Sequence, residues 1–227
     1  MDATTIAAIV LGSAVPVVFV GLMLVIKRSN DQAHQRRAEG AERRGWTYQR
    51  GTGNVLFRLE GIEESIPWEV EAQRSQRSGQ SGTSHSSTHF TTPAEQSDGV
   101  VLLGPKLPPF LAKMNFGGSL VQMLLQHLLG EEASDLSDLS EVQVGSAPFR
   151  ENFTVLASSR ELAETFVVDE AQQTLLDWVR QGRSGEVPVI FRWKNRLQIR
   201  VREAFKDPKD LEALVELGVT LARQCGY

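Results

Sequence analysis

The chain has 227 residues, 41% of them hydrophobic, with a formal net charge of −4 and one cysteine. That length suits one domain or two small ones, and the lone Cys225 excludes an internal disulfide and fits a reducing compartment. Residues 51–227 carry 17 Lys/Arg against 24 Asp/Glu, a cation deficit that argues against general nucleic-acid binding, because phosphate contacts need positive charge.

Ala3 to Ile26 is a run of 24 residues without a charged side chain. A bilayer-spanning helix needs about 20 predominantly apolar residues, so the run predicts a transmembrane anchor. It is too long for the apolar core of a cleavable signal peptide and lacks a positive segment before it. Lys27, Arg28, Arg36 and Arg37 follow it, with Arg43 and Arg44 further on. The positive-inside rule then puts the N-terminus outside and the remainder in the cytoplasm. Residues 27–45 read as a basic juxtamembrane stalk, solvated and packed against little, since its small apolar residues are only Ala33, Ala38 and Ala41. Its charge is suited to anionic lipid.

From residue 46 to 227 the pattern predicts one α+β domain, a mostly antiparallel sheet packed with three or four helices. Val55, Phe57 and Leu59, and then Ile66, Trp68, Val70 and Ala72, alternate with polar residues, which is the period of half-buried strands. Gly61 to Ser65 is expected to be the hairpin connection between them. Residues 75–89 contain no apolar side chain and read as a flexible Ser/Gly-rich loop. His85 and His89 within it lack the partners of a metal site. Phe90–Thr92 and Val100–Leu103 are expected as separate strands. Leu107 to Leu129 is unusually apolar, but Gly117, Gly118 and Ser119 break it into a Pro-rich entry and a helix of about three turns. That helix is too short to span a bilayer, so the stretch reads as a core helix or an interfacial or partner-binding element. An acidic connector follows it.

Phe153, Val155 and Ala157 predict a strand. Ser158 with Glu161, and Asp169 with Gln172, each open a helix. Val189–Trp193 and Leu197–Val201 read as a hairpin around Lys194-Asn195. Arg192, Lys194, Arg196, Arg200 and Arg202 would then share its solvent face, as a contact surface for anionic lipid or an acidic protein partner. Asp207 and Pro208 start a last helix whose buried stripe is Leu211, Leu214, Val215, Gly218, Leu221, Ala222 and Cys225.

The Gly45-Trp46-Tyr48 start, Phe149 and Phe153 with Val155, the short helix after them, the hairpin ending in Val201 and the closing helix resemble a family of bacterial membrane-anchored proteins of unknown function, over most of residues 42–225. The resemblance implies an α+β cytoplasmic domain and supplies no catalytic, metal or cofactor residues. No nucleophile elbow or phosphate-binding glycine loop stands in the sequence, and no cofactor is expected. The expected function is a single-pass membrane protein whose cytoplasmic domain acts as an interaction or scaffold module rather than an enzyme. A membrane-tethered ligand-binding regulatory domain is the alternative, to be recognised by a deep apolar pocket over the sheet.

Overall fold

A computed structural model describes residues 25, 27–75, 85–106, 139–182, 187–224 and 226. Among the described residues no helix is long and apolar enough to cross a membrane. The expected anchor, apart from Val25, lies outside them, as do Leu107–Leu129 and Cys225.

The fold is α+β, and the described residues form seven strands in one antiparallel sheet. They are β1 (Thr47–Arg50), β2 (Val55–Glu63), β3 (Ile66–Ser75), β4 (His85–Pro105), β5 (Ser140–Glu141), β6 (Phe153–Ala157) and β7 (Val189–Val201). The order is β1-β2-β3-β4-β6-β5, and β7 also pairs with β4. The helices are α1 (27–43), α2 (Ala147–Asn152), α3 (Arg160–Phe166), α4 (Asp169–Gln181) and α5 (Pro208–Gln224). One face of the sheet forms the main core with these helices: Phe57, Leu59, Val70, Phe90, Ile199 and Val201 are buried against the Leu211–Ala222 stripe of α5. Gly218 sits where α5 meets Phe90, and a Cβ there would stand 2.3 Å from the ring.

Four expectations change. The first concerns α1, which is no solvated stalk. Ala41 is 3% exposed, Gly40 lies against Pro208, and the Arg37 guanidinium donates from Nε and Nη2 to the Phe205 carbonyl at 3.2 and 3.0 Å while stacking on Phe57. A helix polar nearly all round can dock when its contact stripe is made of small residues and one long cation. Second, β2 continues through Gly61, whose missing side chain leaves room for the edge-on pair Trp46–Trp68. The turn is Glu64-Ser65, both left-handed at φ 51 and 71. Hairpin turns of this kind favour Asn-Gly, because an L side chain strains the left-handed backbone. Ser65→Gly should therefore raise stability by about 1 kcal/mol, about 3 °C in melting temperature. An unchanged or lower melting temperature would count against the strain.

Third, β3 runs to Ser75 and β4 starts at His85, so the residues expected as a loop over 75–89 are strand at both ends; 76–84 lie outside the described residues. Fourth, β4 and β7 are each one strand, where two short strands and a hairpin were expected. Lys194 takes φ 52, and the register slips between Pro93, Ser97 and Val100 on the opposite strand. The mid-strand irregularity lets the ribbon continue past the β2–β3 hairpin and pair with β6. An extra residue at a bulge moves every later side chain to the other face. Ile190 and Arg192 therefore share the core face with Leu197, Ile199 and Val201, while Phe191 joins Val100 and Leu102 on the opposite face.

Candidate contact surface

The bulge divides the five cations that strand counting had placed on one face. Lys194 and Arg196 are exposed at the bulge itself. Arg192 is 6% exposed, set opposite Val101 on the core face, so it is no contact residue. Arg200 is half-buried on the outer face beside His89, and Arg202 is exposed past the end of β7. From Arg196 to Arg202 is about 20 Å along a strand. The five therefore cannot meet one partner as a single patch.

Lys194 combines two local features. Its backbone occupies the left-handed region, and its Nζ lies 4.3 Å from the centre of the Trp193 ring. A non-glycine residue held there stores strain of about 1–3 kcal/mol, and such positions cluster at functional sites. Open clefts flank it. One, of about 750 Å³, lies over β2, β3, β4 and β7 and is lined by Glu60, Ile62, Trp68, Glu69, Thr91 and Arg196, among others. Ile62 is 71% exposed there, and the buried Trp68 Nε1 has no hydrogen-bond partner among the described residues. The other, of about 640 Å³, is lined by Ser97, Asp98, Leu139, Ser158, Trp193 and Lys194, among others. Both have mixed walls, carboxylates and cations beside apolar side chains, and both open to solvent.

A second polar group crosses the outer face as one cross-strand row: Arg58 on β2, Glu71 on β3, His89 on β4 and Arg200 on β7. Arg58 Nη2 donates to Glu71 Oε2 at 2.6 Å, and its Nε lies 3.1 Å from Glu69 Oε1. Gln73 donates to the other Glu71 oxygen. Burial pushes the Glu71 carboxyl up, but the hydrogen bonds from Arg58 and Gln73 and the Arg58 charge outweigh it and leave the group below its ordinary range. His89 Nε2 bonds the buried Ser87 hydroxyl at 2.9 Å. Burial, reinforced by the Arg200 charge and opposed by Glu71, lowers the imidazole to about 4. At neutral pH it is an uncharged link between an anion and a cation. Reading residues 75–89 as loop hid this row, although polar residues at 69, 71 and 73 and at 87, 89 and 91 keep the strand period of two.

Of the expected membrane-flanking residues, Lys27, Arg28 and Arg36 are exposed on α1. Arg37 is not, being 7% exposed and turned into the domain. Burial lowers its pKa, opposed by the nearby Tyr48. Arg44 pairs with Glu212 at 2.8 Å and Arg50 with Asp31 at 3.2 Å, so α1 is tied to the domain along most of its length. No group of three or more metal-ligating side chains occurs among the described residues.

The architecture is thus an antiparallel α+β domain with a docked N-terminal helix and a kinked, cleft-flanked strand pair. No protein-family model matches the chain, and no curated protein does. Among solved structures, the crystal structure of the mycobacterial trehalose monomycolate transport factor A, TtfA, is similar over 85% of this chain and 91% of that one, at 12% identity and a TM-score of 0.46. A likeness that distant carries no argument about what this chain does.

Proposed function

We propose that the chain is a single-pass membrane protein of the bacterial inner membrane, belonging to the membrane-anchored family that residues 42–225 resemble, and that its cytoplasmic domain is an interaction module rather than an enzyme. Its anchor is the apolar run 3–26, followed by the juxtamembrane segment 27–45. The observation that carries the module reading is the strained β4/β7 bulge. It presents Lys194 and Arg196 to solvent with Ile62 close by, between two open clefts. Protein contacts combine a few apolar anchors with a charged rim, and complementary charge sets specificity and encounter rate. An acidic protein partner suits this pair of cations.

The alternative, a ligand-binding regulatory domain, draws on the 750 Å³ cleft and the unpartnered Trp68 indole N–H. Ligand pockets of that size are usually enclosed and mostly apolar, whereas this cleft is open and has Glu60, Glu69 and Arg196 in its walls. That favours the module.

A photo-crosslinking residue at Asn195 of the full-length chain, in native membranes, tests the choice. The module predicts one discrete protein adduct, lost when Lys194→Glu and Arg196→Glu are combined. Those exposed charges contribute only about 0–1 kcal/mol each to folding, so the variant should melt where the wild type does. No protein adduct at Asn195, or one indifferent to both reversals, would favour the ligand reading.

A further inference from the structure

The way α1 is docked fixes which end of the domain meets the bilayer, a point that rests on the anchor proposed above. α1 is continuous from 27 to 43, and its bonds to the body begin early: Asp31 pairs with Arg50, and His34 Nδ1 bonds the Tyr48 hydroxyl. Arg37, Gly40 and Arg44 then continue along the seam to Phe205, Pro208 and Glu212. The segment is therefore a strut, and the domain does not hang from a loose tether. Four residues of helix separate Lys27 from Asp31, a rise of about 6 Å. With α1 along the membrane normal, Asp31 is thus about 6 Å farther from the membrane than the first residue after the anchor, and Arg50, at the end of β1, pairs with it there.

The headgroup layer on each side of a bilayer is about 5–8 Å thick, and charge acts across about 8 Å at physiological salt. The strand ends level with Arg50 lie inside that range. They comprise the turn after β1, the end of β3, whose Arg74 N–H bonds the Asn54 carbonyl, and the segment after β7, whose Ala204 N–H bonds the Ser86 hydroxyl. This end is basic: Lys27, Arg28, Arg50, Arg74, Arg202 and Lys206 are all exposed. The acidic side chains among them are Asp31, paired with Arg50, and Glu203; Asp207 is engaged in capping α5 through the Lys209 N–H. The far end of the same strands is of mixed sign, with Glu63 and Glu64 at the β2–β3 turn, Glu64 paired with Arg223, and Glu95 on β4 near Lys194 and Arg196.

We infer that this basic end of the sheet is a lipid-facing surface that rests on anionic headgroups, so that the strut and the surface together hold the domain in one orientation and turn the Lys194–Arg196 bulge toward the cytoplasm. A cation near an anionic leaflet is attracted within about one Debye length, and here a fixed geometry holds several of them at that distance at once. Arg202 belongs to this surface, and Lys194 and Arg196 do not.

Hydrogen exchange on the full-length chain in nanodiscs decides it, comparing phosphatidylcholine alone with phosphatidylcholine mixed with phosphatidylglycerol. Peptides covering 47–56 and 198–208 should exchange several-fold more slowly in the anionic discs, and the difference should vanish in high salt and in Arg74→Glu combined with Arg202→Glu. Peptides covering 60–66 should be alike in both lipids. Equal exchange at the basic end in the two lipids, or protection that survives the double reversal, overturns the surface while leaving the anchor intact. A chain that alkaline washing strips from the bilayers overturns the anchor, and the surface with it.

Discussion

Replacing Arg37 by Ala lowers the unfolding free energy by about 3 kcal/mol, from two contributions of known size and a packing gap. Phe205 is 1% exposed, and both nitrogens that reach its carbonyl come from Arg37. A buried acceptor left without a donor costs about 1–3 kcal/mol. The guanidinium lies 4.6 Å from the centre of the Phe57 ring, a contact worth about 1–2 kcal/mol when desolvated. The truncated side chain also leaves a gap against Phe57 and Tyr48. Against these stands the relief of no longer burying a cation, which burial marks by lowering the Arg37 pKa. That relief is the smaller quantity, because two hydrogen bonds already compensate the charge. Arg37→Lys should rescue little, since an ammonium is a point charge without the planar fork. Tryptophan fluorescence of the detergent-solubilised chain in urea reads the effect, all four indoles lying after residue 45. A midpoint change without a change in slope is expected. Trypsin should also cut after Arg36 and Arg43 sooner than in the wild type, because the strut is released. A variant as stable as the wild type would mean that α1 contributes nothing to holding the domain.

What the sequence disclosed of this architecture follows from which physical signals are local. Period-two alternation located β2, β3 and the two halves of β7, and the 3-1-3 spacing located the buried stripe of α5. These signals need only neighbouring residues. The bulge at Lys194 was invisible because a lysine gives no sign of a left-handed backbone; an Asn-Gly pair would have, and here it would have signalled a turn. One undetected extra residue then assigned Arg192 to solvent when it is buried, since parity carries an error through the rest of a strand. Gly61 misled for a related reason. A glycine in a strand pattern suggests a turn when the side chains it makes room for, Trp46 and Trp68, are 15 and 7 residues away.

The docking of α1 was hidden by the same long-range problem. Its contact partners, Phe205, Pro208 and Glu212, come 168 residues later for Arg37, Gly40 and Arg44 alike. Nothing in a basic helix whose only apolar residues are alanines indicates that a distant carbonyl needs donors. The five cations of the expected contact face therefore do not lie together. Lys194 and Arg196 stand together at the bulge, Arg200 belongs to the polar row, Arg202 lies at the opposite end of the strand half, and Arg192 is interior.

The polar row makes the stability of the domain depend on pH through one histidine. His89 is lowered to about 4 by burial and by the Arg200 charge, with Glu71 opposing. An unfolded histidine titrates near the ordinary value of about 6.5. Between these two values the unfolded chain holds a proton that the folded chain refuses, so stability rises with pH across that window. The contribution is complete above pH 6.5 and is lost as pH falls through 4. Each unit of separation is worth about 1.4 kcal/mol, so the loss amounts to about 3 kcal/mol. His89→Gln keeps a partner for the Ser87 hydroxyl and carries no titrating proton. Its stability should therefore decline less from pH 7 to 5 than that of the wild type, the remaining slope coming from His34, whose pKa burial and the Arg50 and Arg37 charges also lower, with Asp31 opposing, and carboxylates such as Glu71 should bend both curves alike below that. Arg200→Gln should move the imidazole the other way, raising its pKa by removing the adjacent charge, as NMR titration of the ring would register. Parallel stability curves for wild type and His89→Gln would show that the imidazole is not buried beside Arg200 in the folded protein.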